Sequence, residues 1–180
     1  TVQEKFIRFP TDARLYDRMR ERLVTAAQQR GIGLRQSYAR VGRWALTSQQ
    51  RYASAQQFRR ARRMTKRLHT LLGRVVRDIE RKTCERDGEL TELLQRARRL
   101  LAQQRQDREK LYSVHAPEVE CLAKGKVQKR YEFGCKVSVA STSRGNWIVG
   151  ARALHGNPYD GHTLKDALQQ VERLSGQKPQ

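Results

Sequence analysis

The sequence predicts an α+β protein, a long basic helical region followed by a small β-hairpin and a closing helix. Apolar residues recur at helical spacing through most of residues 11–112, then alternate with period two in EFGCKVSVA. They return to spacings of four, three and three at Leu164, Leu168, Val171 and Leu174. Only 37% of the 180 residues are apolar and 31% are charged, so a small core and long exposed helices are expected.

Residues 1–9 alternate loosely through Val2, Phe6, Ile7 and Phe9 and suit the end of a strand, which Pro10 stops. Thr11 with Asp12 offers an N-cap. Leu15, Met19, Leu23 and Ala26 then keep helical spacing until Gly31 and Gly33 end it. Tyr38, Val41 and Ala45 continue helically, a break falls near residues 47–54, and the pattern resumes from Phe58 to Ile79. One helix over 54–86 is about 50 Å long at about 1.5 Å per residue and is expected to project. A second run, from Glu89 to about Tyr112, is joined to it at Arg86, Asp87 and Gly88, which predicts an antiparallel helical hairpin. Residues 131–154 read as a β-hairpin turning at 142–146, and 157–160 as a turn before an amphipathic helix ended by Gly176 and Pro179.

Charge locates the partner surface. Residues 51–86 carry twelve Lys or Arg against Asp78, Glu80 and Glu85, a net +9 of the chain's +20. Such an excess points to a polyanion, and nucleic acid is the commonest. A membrane surface fits less well, because the basic helices lack a wide bulky apolar face, and no run of 18 apolar residues exists to span a bilayer. Cys84, Cys121 and Cys135 are odd in number and show no C-x-x-C spacing. A disulfide framework is therefore not expected, and a reducing cytoplasm is.

Four motifs, TVQEK at the start, HAPEVEC with AKGK, YEFG, and NPYDGHTL, stand in an order and spacing that resembles bacterial insertion-sequence transposases of the DDE type. The resemblance covers nearly the whole chain. It implies an RNase H-like fold, a mixed sheet whose two aspartates, with a glutamate from a later helix, hold two divalent metals, usually Mg²⁺, for attack on phosphodiesters. Residues 1–10 then resemble the end of the first core strand, 11–112 a basic helical insertion, and 113–180 a partial RNase H-like sheet with its crossover helix. The first catalytic aspartate is expected two residues before Thr1 and the second shortly after Gln180. The chain is thus expected to be an internal segment with no catalytic residue, metal ligand or cofactor of its own, Mg²⁺ being implied only for the complete enzyme. The implied partners are DNA, as transposon ends and target, with a homodimer of the complete protein left open.

The candidate DNA-binding residues are Arg59, Arg60, Arg62, Arg63, Lys66 and Arg67 on the basic helix, where cations on one face can track phosphates. Lys124, Lys126, Lys129 and Arg130 form a basic loop, and Lys136 lies opposite Cys135 and Val137 on its strand. The plain alternatives are a solvated helix face and an ordinary surface loop. Tyr131, Phe133 and Gly134 are expected to start the strand and fill a core rather than stack on bases. Asp160 or Thr163 is expected to cap the last helix, with His162 in its first turn. His115, Cys121, Cys135, His155 and His162 have no recognised zinc-ligand spacing. A second class of function stays open, a non-enzymatic nucleic-acid-binding or assembly protein whose helical hairpin acts as a clamp.

Overall fold

The Thr11 hydroxyl accepts the Arg14 amide at 3.4 Å and Asp12 sits in the positive first turn, so the first helix starts where its cap is. In the computed structural model, which describes residues 9–83, 88–123 and 130–178, this helix is α1, Asp12–Gln29. It closes in a Schellman motif. The Gly31 amide donates to the Gln28 carbonyl (3.1 Å) and the Ile32 amide to that of Ala27 (2.9 Å), with Gly31 at φ +67°. Of the expected strand end over residues 1–10, residues 1–8 lie outside the described residues, and Phe9 and Pro10 are in no strand.

Three more helices follow in the same compact unit, Thr1–Pro117: α2 Ala39–Ser54, α3 Phe58–Lys82 and α4 Gly88–Ala102. The break between α2 and α3 falls at residues 55–57, later than expected. It is again a Schellman closure, Gln56 to Ala53 (3.1 Å) and Gln57 to Tyr52 (2.8 Å), but the left-handed residue is Gln56 at φ +55°. With neither Gly nor Pro there, the turn has no signature of its own.

The 25 residues of α3 span about 37 Å, shorter than the expected helix over 54–86. Nor does α3 project: it packs against α1, α2 and α4. Leu68, Leu72, Val75 and Ile79 are at most 1% exposed and meet Met19, Leu23 and Ala27 of α1 and Leu90, Ala97 and Leu100 of α4 in one core. The expected joint at Arg86 and Asp87 lies outside the described residues, while Gly88 opens α4.

α4 stops at Ala102, ten residues before the expected end. The polar run after Ala102 supplies no further apolar face, and the Gln103 side chain accepts the Leu111 amide at 2.9 Å. Leu111 and Val114 therefore enter the core from an irregular segment.

Under this core lies one ion pair. Arg20 donates to Asp17 through Nε (3.1 Å) and a terminal nitrogen (2.8 Å), and its other terminal nitrogen holds the Ser37 carbonyl (3.0 Å). Both residues are buried. Gly42 of α2 passes directly over them, since a Cβ there would lie 2.7 Å from Asp17 Oδ1 and 2.8 Å from Arg20 Nε.

Asp78, the other buried acid among the described residues of the unit, faces the loop before α2. The Arg35 amide, donated at 2.8 Å, is the main influence holding its carboxyl below the usual range; burial opposes this, and Lys82 and the Arg35 side chain add to it. A depressed folded-state value means the stabilisation is complete above the unfolded carboxylate range, near about pH 3.9, and is lost as pH falls through the folded value. The urea midpoint is thus expected to drop below about pH 4. Asp78→Asn should flatten that part of the profile, which midpoints taken across pH 5 to 2.5 will check.

The second unit, Glu118–Gln180, holds the β structure. β1, Glu120–Ala123, pairs antiparallel with β2, Tyr131–Gly134, and β3, Lys136–Ser141, pairs antiparallel with β4, Ile148–Leu154. The alternating run EFGCKVSVA is therefore not one strand but divides at Cys135 between two sheets. Both sheets are two-stranded, and among the described residues no parallel pairing makes them a mixed sheet. The hairpin turns where expected, at 142–146, and is closed one residue later by the Thr142 amide donating to the Trp147 carbonyl (2.9 Å), with Asn146 at φ +52°. Glu120 ties the two sheets together through the Gly156 amide (2.9 Å) and His155 Nδ1 (3.1 Å).

α5, Asp160–Ser175, lies on β3 and β4. No helix among the described residues is long and apolar enough to cross a membrane. The chain is thus α+β, with five helices and two small antiparallel sheets among the described residues.

Candidate nucleic-acid interface

The face of α3 opposite the core carries Arg59, Arg63, Lys66, Arg74, Arg77 and Arg81, all exposed, at steps of four, three, eight, three and four. At about 100° per residue these steps keep the six within one stripe, roughly opposite Leu68, Leu72 and Ile79. From Arg59 to Arg81 it runs about 33 Å, close to one turn of duplex DNA. No acid interrupts it. The two acids of α3 are Asp78, which is buried, and Glu80, which is half-buried and paired with Arg98 of α4 at 2.7 Å. Among the described residues Arg59, Arg62, Arg63, Lys66, Arg74 and Arg77 form no ion pair, so their charges are uncompensated.

One flank of the stripe is supported by aromatic rings from α2 and its N-cap. The guanidinium groups of Arg60, Arg67 and Arg74 lie 5.7 Å, 5.1 Å and 6.0 Å from the ring centroids of Tyr52, Trp44 and Tyr38. The arginines are seven residues apart on α3, and the aromatics run in the opposite order on α2, as two helices packed antiparallel require. Each contact contributes about 0.5–1 kcal/mol at an exposed site. A guanidinium lying against a ring keeps its edge donors for phosphate and loses less side-chain freedom when it binds.

Arg59, Arg60, Arg62, Arg63, Lys66 and Arg67 are therefore brought together on the exposed side of one helix. Lys124, Lys126 and Lys129 lie outside the described residues. Arg130, in the second unit, rests on the Tyr131 ring at 5.6 Å, and Tyr131 is 47% exposed rather than part of a core. Lys136 is engaged by Asp160 (2.6 Å) and the Pro158 carbonyl (2.6 Å). Asp160 does not cap α5 as expected. Tyr159 is the N-cap residue and makes no side-chain cap bond, Asp160 is the first helical residue, and Thr163 donates to the Asp160 carbonyl at 2.8 Å.

Arg35, Arg74, Arg77 and Arg81 and the three aromatics escaped the sequence reading. Arg74, Arg77 and Arg81 could have been found by continuing the helical phase of the stripe, but Arg35, which lies in the loop before α2, could not. The aromatics could not, because their pairing depends on how α2 lies against α3. Cys121 and Cys135 are free thiols. Among the described residues no group of three His, Cys, Asp or Glu is placed to hold a metal ion.

No protein-family model matches the chain, and no solved structure matches it. Over 58 residues it is 50% identical to a protein of Rhizobium meliloti described as "Uncharacterized protein ORF8 in nfe locus". The match takes in 32% of this chain and 28% of that protein, so the similarity is to a part of each.

Proposed function

We propose that the chain binds duplex DNA through the exposed basic face of α3, and that it is the DNA-handling segment of an insertion-sequence transposase of the DDE type. The observation that carries the first half is the uninterrupted stripe from Arg59 to Arg81, six cations over about one duplex turn with no exposed acid among them. The second half rests on the TVQEK, HAPEVEC, YEFG and NPYDGHTL motifs, with the unit Glu118–Gln180 as a partial RNase H-like element. Its Val137 and Val139 are more than half exposed, which suits strands meant to be covered within a larger protein. The described residues do not fit a two-metal carboxylate site, so no catalytic step is assigned to them.

If the six cations each neutralise one phosphate, the logarithm of the binding constant falls against the logarithm of salt with a slope of about −5. Fluorescence anisotropy with a labelled 20-base-pair duplex at several salt concentrations measures that slope. No Mg²⁺-dependent strand cleavage is expected from residues 1–180, and robust cleavage by this chain alone would overturn the reading of it as a segment without the catalytic carboxylates. The competing reading, a non-enzymatic nucleic-acid-binding protein, is favoured by the self-contained core of Thr1–Pro117. It shares the same interface.

A further inference from the structure

At the C-terminal end of the stripe the surface becomes concave. Arg74, Arg77 and Arg81 of α3 line a half-open cup of about 200 Å³ together with Arg35 and Tyr38 of the segment before α2, with Asp78 also among its lining residues. Four arginines thus line one small space. Asp78 does not cancel them. Its Oδ2 accepts the Arg35 amide (2.8 Å) and Lys82 Nζ (3.2 Å), so the lysine balances its charge, and its Oδ1 lies 3.8 Å from Arg35 Nε and 3.9 Å from a terminal nitrogen of Arg81. The carboxylate thus lies within ion-pair distance of two of the arginines, and Arg81 Nε is held by the Arg77 carbonyl at 3.1 Å. Arg74 is set by the Tyr38 ring, and Tyr38, left-handed at φ +54°, starts α2 without a side-chain cap, which adds the positive end of a helix at the rim.

We propose that this cup is a binding site for a phosphate monoester, the terminal phosphate of a DNA strand. The space holds one tetrahedral group and not a run of backbone. A monoester carries about −1.5 to −2 charges near neutral pH, a closer match to four clustered arginines than the single charge of a phosphodiester. Arginine forks also suit its three free oxygens. Inorganic phosphate presents the same chemistry. The carrier of the phosphate rests on the DNA reading above; the anion site itself does not.

The test compares residues 1–180 binding to two duplexes identical except for a 5′-phosphate or 5′-hydroxyl, with isothermal titration of inorganic phosphate alongside. The phosphorylated duplex is expected to bind about tenfold more tightly. Arg35→Gln with Arg77→Gln should bring the ratio of the two affinities to about one, whereas Arg59→Gln with Arg63→Gln should weaken both duplexes and leave the ratio as it was. Arg35→Gln alone, at an exposed loop residue, guards against loss of fold and should lower the ratio by itself. Equal wild-type affinities, or a preference that survives the cup variants, overturn the proposal. If neither duplex binds, the DNA reading fails; inorganic phosphate bound by the wild type and lost in the cup variants would still support the anion site, and no phosphate binding would overturn it.

Discussion

Charge reversal of Arg59, Arg63, Lys66 and Arg77 to Glu is expected to weaken duplex binding by more than about a hundredfold while leaving the protein folded. The four side chains are exposed, make no ion pair among the described residues, and project away from Leu68, Leu72 and Ile79. Surface substitutions of this kind shift stability by about 0.5 kcal/mol or less each. Binding suffers more, because four attractions to phosphate become repulsions within one duplex turn. A control with the same net charge, Arg105, Arg108, Arg144 and Lys165 to Glu, reverses exposed cations elsewhere and should keep most of the affinity. Equal losses in the two variants would mean that net charge, and not the stripe, governs binding. Anisotropy measures the affinities, and circular dichroism with a thermal melt checks the fold.

Arg20→Ala is expected to cost about 3–5 kcal/mol of stability, because it leaves the Asp17 carboxylate buried without its partner. Arg20 is 2% and Asp17 5% exposed, and two nitrogens of one guanidinium hold the same carboxylate oxygen. The loss also frees the Ser37 carbonyl, which Arg20 holds across to the loop before α2. Replacing both residues by apolar ones of similar size should cost much less than Arg20→Ala, since removing a buried pair together leaves no stranded charge. Urea denaturation of the single and double variants measures the difference. Little loss in the single variant would show that water reaches Asp17. The close passage of Gly42 over the pair makes α2 report the same event, so the loss should extend to the Trp44 fluorescence.

What the residues announced locally is what could be read from them. Thr11 as a cap, Gly31 as the exit of α1 and the turn at 142–146 each rest on a residue whose own chemistry sets the local backbone. The turn at Gln56 does not: its left-handed residue is an ordinary side chain, held by the packing of α2 on α3. β1 is only four residues long and its pairing with β2 is made at a distance, which period-two alternation cannot reveal. The division at Cys135 was hidden for the same reason, since β2 and β3 share one alternating pattern. α5 carries the expected stripe, yet Leu164 and Leu174 remain about 60% exposed, so amphipathic spacing gave the helix but not its cover.

The candidate site shows the same split. Arg59 to Arg67 stand out as a dense basic run, and their exposure follows from the apolar residues on the opposite face. Arg74, Arg77 and Arg81 are diluted among valines and leucines, and only continuing the helical phase places them on the stripe. Arg35 reaches α3 through the Asp78 carboxylate, a contact 43 residues apart in sequence. No local pattern encodes it.

Contact between the exposed face of α3 and the duplex is the expectation on which the proposed function rests. It is tested most directly by following the arginine Nε–Hε resonances of ¹⁵N-labelled protein as unlabelled duplex DNA is added. Shifts are expected to concentrate at Arg59, Arg63, Arg67, Arg74 and Arg77, with Arg20 unmoved because it is buried on Asp17. Shifts confined to arginines of the second unit, such as Arg130, Arg144 and Arg152, or no shifts at all, would contradict it.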